Sequence, residues 1–96
     1  MSNAPDTLVD GRPEDEIRAG VRSIVTELAP ETESEASDDA RLVDDLGYHS
    51  LALLELAFTL EDQFDLDPIE QERAQDISTV RDIANLVIDE LRKRSQ

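Results

Sequence analysis

Apolar residues recur at helical spacing in three stretches of this chain. Ile17, Val21, Ile24, Val25 and Leu28 form the first series, and their spacing predicts an amphipathic helix. Pro13 suits its first helical position, and Glu14, Asp15 and Glu16 suit the positive end of its dipole. Ala29-Pro30 closes it. The second series runs from about Ser50 to about Phe64, and Asp65-Leu66-Asp67-Pro68 closes that one, since the residue before a proline resists helical geometry. Val80, Ile83, Ala84, Val87, Ile88 and Leu91 form the third. Thr79 is its N-cap, with Asp82 three residues on as a variant capping box. Arg92-Lys93-Arg94 complements its negative end. Ile69 to Gln75 reads as one or two short helical turns. No strand alternation or hairpin signal is evident.

Between Glu31 and His49 no period is sustained. Glu31 to Asp39 is acidic and rich in serine. Leu42, Val43 and Leu46 predict that the second half of this loop is packed down, around a short helical turn at Asp38 to Val43. Residues 1–12 read as a disordered tail, 13–94 as one domain and 95–96 as its C-terminal end. The fold class is therefore all-α: a small four-helix bundle with three long helices, one short helix and a long first loop.

The second helix carries more apolar surface than a bundle needs. On a wheel of about 100° per residue counted from Ser50, Leu53, Leu56, Ala57, Leu60 and Phe64 cluster near roughly 300°. That is a full core stripe. Leu51, Leu54 and Phe58 cluster separately near roughly 75°. Glu61 lies beside Ser50 at one edge of the second stripe, and Glu55 and Asp62 flank the other. The bland reading packs this stripe under the long loop, against Leu42 or Leu46. The functional reading is an apolar contact surface rimmed by carboxylates, suited to a partner with an apolar spot ringed by Arg and Lys.

Composition narrows the chemistry. Ninety-six residues make one small domain, and with no Trp, one Tyr and two Phe its core is aliphatic. No cysteine is present, which removes disulfides, thiolate metal sites and a cysteine nucleophile and fits a reducing cytoplasm. No apolar run approaches a membrane span. The formal net charge is −15, from 24 acidic and 9 basic residues. This argues against nucleic acid, whose phosphates need clustered Lys and Arg. The initiating Met1 and the basic C-terminal end favour a free-standing protein.

Ser50 has an ordinary reading as the N-cap of its helix. His49 is its neighbour, but no Gly-x-Ser-x-Gly elbow and no second histidine accompany it, so neither catalytic residues nor an enzyme are expected. The carboxylates lack the spacing of a calcium loop, so no metal is expected, and no glycine-rich loop cradles a phosphate.

The whole string points further. Asp45-Leu46-Gly47-x-x-Ser50-Leu51 is followed by Glu55-Leu56, by Leu60-Glu61-Asp62-x-Phe64 and later by Ile77-Ser78-Thr79-Val80-x-Asp82. This resembles the phosphopantetheine attachment region of the acyl carrier protein family, across about residues 13 to 94. The resemblance implies a carrier, not a catalyst. Ser50 would hold a covalent 4′-phosphopantetheine donated by coenzyme A through a phosphopantetheinyl transferase. Acyl groups would ride on its thiol as thioesters, in fatty-acid, polyketide or hybrid natural-product biosynthesis. Acyl-activating enzymes, ketosynthases and transferases with basic patches would dock on Leu51, Leu54, Glu55, Phe58, Glu61 and Asp62. The carrier would act as a cytoplasmic monomer. An apolar core poor in aromatics also suits an acyl chain slipping between helices.

One position departs from the pattern. Acyl carriers mostly place aspartate before the serine, and here it is His49. Histidine there resembles the peptidyl carrier domains of nonribosomal peptide synthetases, which usually place two glycines before it, whereas Tyr48 follows Gly47 here. His49 is therefore a candidate specificity residue, and a peptidyl or aminoacyl carrier is the alternative within the family. An acidic helical adaptor without prosthetic group is the alternative outside it.

The charge imbalance generates a stability prediction. Self-repulsion at a net charge of −15 is screened by ions. Added salt or divalent cations are expected to raise the melting temperature, and a flat melting temperature from low to moderate salt would contradict this.

Overall fold

The computed structural model describes residues 8–9, 11–31, 36–69 and 76–95. Three helices dominate it: α1 (Glu14–Leu28), α2 (Ser50–Phe64) and α3 (Val80–Ser95). The three apolar series therefore form the helices expected of them. The short helical turns expected at Ile69 to Gln75 fall largely outside the described residues.

In α1, Ile17, Val21 and Val25 are buried, and Ile24 and Leu28 pack at the edge of the core. Pro13 is the N-cap (φ −62°, ψ 139°) and not the first helical residue. Ala29 ends the helix in extended geometry (ψ 128°), as a residue before proline must. In α3 the face of Val80, Ile83, Ala84, Val87, Ile88 and Leu91 is buried, and Leu86 joins it. In α2 the buried line is Ala52, Leu56, Leu60 and Phe64. Leu53 and Ala57, expected in the core stripe, are only half-buried. Removing each buried Val, Leu or Ile from water contributes about 1.5–3 kcal/mol, so these three faces are the main driving force. Helix α1 packs against both α3 and α2.

Two expectations about the N-terminus change. Leu8–Val9 (β1) pairs antiparallel with Arg12–Pro13 (β2), with Val9 opposite Arg12. The stretch read as a disordered tail thus ends in a small hairpin, with Val9 1% exposed. Two-residue strands cannot show alternation, so the pattern had nothing to detect; Gly11 at φ +82° supplies the turn. The Arg12 guanidinium lies 5.7 Å from the centre of the Phe64 ring, tying the ribbon to the end of α2.

The long loop is docked onto the start of α3. Leu42 N–H donates to the Ser78 carbonyl, and Val80 and Arg81 N–H donate to the Ala40 and Asp38 carbonyls. These loop carbonyls satisfy amides that the first turn of a helix leaves without intrahelical partners. The expected cap is formed beside them: Asp82 accepts from Ser78 and Thr79 N–H at 2.9 and 3.1 Å, and Asp82 N–H donates to Thr79 Oγ1 at 3.2 Å. The backbone bond from Ser78, then burial opposing it, then Thr79 set the Asp82 carboxyl, whose pKa is lowered overall. Arg22 pairs with Asp38 at 3.0 Å, and Arg81 pairs with Asp39. The turn expected at Asp38 to Val43 is not a helix; residues 38–39 and 42–46 form non-helical turns. Leu42 and Leu46 are buried as expected, but Val43 is 59% exposed, because the turn points it away from the core.

Tyr48 closes the loop. Its ring is 2% exposed, its N–H donates to the Leu42 carbonyl at 2.9 Å, and its hydroxyl donates to the Val25 carbonyl at 2.8 Å. Val25 lies in the last turn of α1, where carbonyls lack helical partners. Gly47, at φ +76°, turns the chain into this position; a Cβ there would lie 2.8 Å from Glu31 Cγ. His49 follows in extended geometry (φ −120°, ψ 178°) and caps α2: its Nδ1 accepts from Ala52 N–H at 3.4 Å. The N-cap expected at Ser50 therefore falls one residue earlier, and Ser50 is the first helical residue. Asp65, in left-handed geometry (φ 55°), ends α2, so the helix stops three residues ahead of Pro68 without needing it.

Two predictions rest on this junction. A long imidazole cap is weaker than an asparagine one. Urea unfolding should rank His49→Asn above wild type and wild type above His49→Ala, each step roughly 0.5 kcal/mol; no difference would mean the cap contributes nothing. Burial pushes the Tyr48 hydroxyl up to about 12 from its ordinary value of 10.0. The folded state keeps this proton where the unfolded chain loses it. Stability is therefore complete below the unfolded value and falls as pH rises from about 10 toward about 12. Wild type should lose roughly 2–3 kcal/mol more than Tyr48→Phe over that window. Equal losses in unfolding titrations would contradict the burial.

Candidate functional site

The site is the N-terminal end of α2 and the face that continues from it. Ser50 is exposed, with the buried Tyr48 two residues before it and the buried Ala52 two residues after. The first helical bond closes from Leu53 N–H to the His49 carbonyl at 2.8 Å. No acidic residue lies in the first turn of α2, whereas Glu14, Asp15 and Glu16 fill that of α1. In a chain this acidic, a phosphate on Ser50 would meet in that turn the positive end of a helix dipole and no carboxylate. The residues present therefore fit a phosphodiester on the serine hydroxyl.

The second stripe is on the surface. Leu51 is 62%, Leu54 51% and Phe58 59% exposed. The packing against Leu42 or Leu46 that the sequence also allowed does not occur, because those side chains are buried in the core. Glu55 and Asp62 are exposed at the flank of this stripe. Glu61 is half-buried, and its carboxylate accepts from Ile69 N–H at 3.1 Å, so it also holds the segment after α2. His49 is exposed beside Ser50 and contributes its cap bond.

On another side of α2 an apolar cleft of about 110 Å³ opens between the helices. Leu53, Leu56 and Ala57 of α2 line it with Ile83 and Leu86 of α3 and with Leu42 of the loop. This accounts for Leu53 and Ala57 being half-buried: they border the cleft and do not fill the core.

Tyr48, buried two residues before Ser50, is the neighbour of the candidate site that sequence reasoning misses, since the pattern presents it only as a departure from a double glycine. One signal was available: it is the sole tyrosine of the chain, in a loop whose other apolar residues are predicted to pack down.

Comparison with known proteins identifies the family. The family model described as the phosphopantetheine attachment site matches residues 19–87. The chain is 41% identical to the acyl carrier protein of Borreliella burgdorferi (strain ZS7) over 73 residues, 76% of this chain and 90% of the relative. It is 36% identical to the acyl carrier protein of Thermotoga maritima over 73 residues, 76% of this chain and 89% of the relative. A solved Mycobacterium tuberculosis protein, assigned as an acyl carrier protein, superposes with a TM-score of 0.55 at 38% identity, covering 75% of this chain and 89% of that one. With its three described helices and this serine-headed second helix, the chain belongs to the acyl carrier protein family, whose members are carriers and not catalysts and bear a covalent 4′-phosphopantetheine.

Proposed function

We propose that Ser50 is the attachment residue and that this chain carries acyl intermediates to the enzymes of fatty-acid, polyketide or hybrid natural-product assembly. The observation that carries this reading is the exposed Ser50 at the first position of a helix whose first turn holds no carboxylate. The arm supplies a flexible link ending in a thiol on which acyl groups ride as thioesters. Everything else is done by the domain, which presents Ser50 and offers partners a face to bind.

That face is Leu51, Leu54 and Phe58, exposed at helical spacing, with Glu55, Asp62 and the half-buried Glu61 about it. A phosphopantetheinyl transferase and acyl-handling enzymes with Arg and Lys around an apolar spot are its fitting partners. Long-range attraction raises encounter rates while a small contact keeps residence short, as a carrier visiting several enzymes needs. The apolar cleft beside Leu53 and Ala57 has the chemistry to take the first part of an alkyl chain. The four-helix form of the bundle belongs to this proposal, and the reducing cytoplasm is the proposed compartment. The name of the relatives, acyl carrier protein, favours acyl over peptidyl cargo.

Intact mass tests the attachment. With coenzyme A, magnesium and a promiscuous transferase, wild type should gain one phosphopantetheinyl unit and Ser50→Ala none; gain in the alanine variant would move the site elsewhere. For the docking face, Leu54→Glu should raise the transferase KM for this protein about tenfold, equivalent to about 1.4 kcal/mol. An unchanged KM would place docking on another face.

A further inference from the structure

The exposed serine needs a fixed position, yet its immediate neighbours do little to fix it. Gly47 has a permissive backbone at φ +76°, and His49 is exposed with one long cap bond. Between them Tyr48 makes two backbone-directed bonds and buries its whole ring. Its hydroxyl bond to Val25 spans 23 residues of sequence, so it ties the start of α2 to the end of α1. On the other side of Ser50, Ala52 and Leu56 hold α2 to the core.

We propose that Tyr48 is the positioning residue for modification of Ser50, an inference that rests on the carrier reading above. In that modification, Ser50 Oγ forms a bond to the pantetheine-side phosphorus of coenzyme A. The bond from that phosphorus to the bridging oxygen breaks, adenosine 3′,5′-bisphosphate leaves with the electron pair, and the serine proton passes to a base of the transferase. The transfer is sensitive to the angle at which Oγ approaches, and misplacement by about 1 Å can cost up to a hundredfold in rate. Tyr48 is buried and cannot touch the transferase. Leu51, Leu54 and Phe58 are exposed and can. Binding and alignment thus lie on different residues, which predicts that they separate kinetically.

The test uses the unmodified full chain with coenzyme A, magnesium and a promiscuous transferase. Tyr48→Phe keeps the ring and deletes only the tie to Val25. Its kcat should fall roughly tenfold with KM within about twofold of wild type. Amide exchange at residues 47–50 should quicken without any arm attached. Thr26→Val is the control: Thr26 Oγ1 donates to the Arg22 carbonyl and accepts from Ala36 N–H, at the same end of α1 but with no bond to residues 47–50. It should lower the melting temperature while leaving kcat within about twofold. A wild-type kcat in Tyr48→Phe, or an equal fall in Thr26→Val, would overturn the proposal. Should Tyr48→Phe be unfolded under assay conditions, hydroxyl-proton exchange in wild type decides. The Tyr48 hydroxyl proton, which bonds the Val25 carbonyl, supports the tie if it is protected to the global limit, and its exchange through local opening overturns it. Wild type that cannot be modified at all removes the carrier reading and this inference together, whereas a fully active Tyr48→Phe removes the inference alone.

Discussion

The junction between the long loop and the start of α3 is what the rest of this domain depends on. A helix leaves its first amides without partners, and a loop leaves its carbonyls without them. Here each solves the problem of the other. Ala40 and Asp38 carbonyls take the amides of Val80 and Arg81, and Ser78 takes the Leu42 amide in return. Once Leu42 is held there, its own carbonyl receives Tyr48, and Tyr48 reaches across to Val25. A single chain of hydrogen bonds therefore runs from α3 through the loop to α1 and stops two residues short of Ser50.

This arrangement explains how a small acidic domain combines an ordered backbone at the candidate serine with an accessible side chain. Burial of Tyr48, Ala52 and Leu56 fixes the backbone around Ser50, while Ser50 and His49 themselves stay in solvent. The charge distribution follows the same division of labour. Carboxylates are absent from the first turn of α2, which carries the proposed attachment residue, and appear from Glu55 onward, along the proposed docking face. Loop carboxylates are partly absorbed by Arg22, Arg41 and Arg81, which pair with Asp38, Asp44 and Asp39. Those pairs are largely exposed and contribute little each, so the backbone ladder and the buried side chains hold the loop.

Much of the architecture was legible in the residue pattern. Helical periodicity located all three described helices because each buries one face against the same aliphatic core. The Thr79–Asp82 cap was legible because a capping box is a local motif. The string from Asp45 to Leu51 pointed to Ser50 for a similar reason, since the glycine turn and the helix start are adjacent in sequence. The terminal hairpin was not legible: its strands are two residues long and owe their order to Val9 entering a core assembled by distant residues.

By itself, then, the sequence determined the helices, the aliphatic core, the acidity and the position of the candidate serine, all of which depend on composition or on neighbours within a few residues. Only the tertiary structure decided that the second apolar stripe on α2 stays uncovered by the loop, that Leu53 and Ala57 border a cleft, that Val43 is exposed while Leu42 is not, and that His49 and not Ser50 caps the helix. It alone revealed Tyr48 as the tie between α1 and the start of α2. The physical reason is the same in each case: a helix wheel shows which residues share a face, but which face is buried depends on what other parts of the chain bring against it.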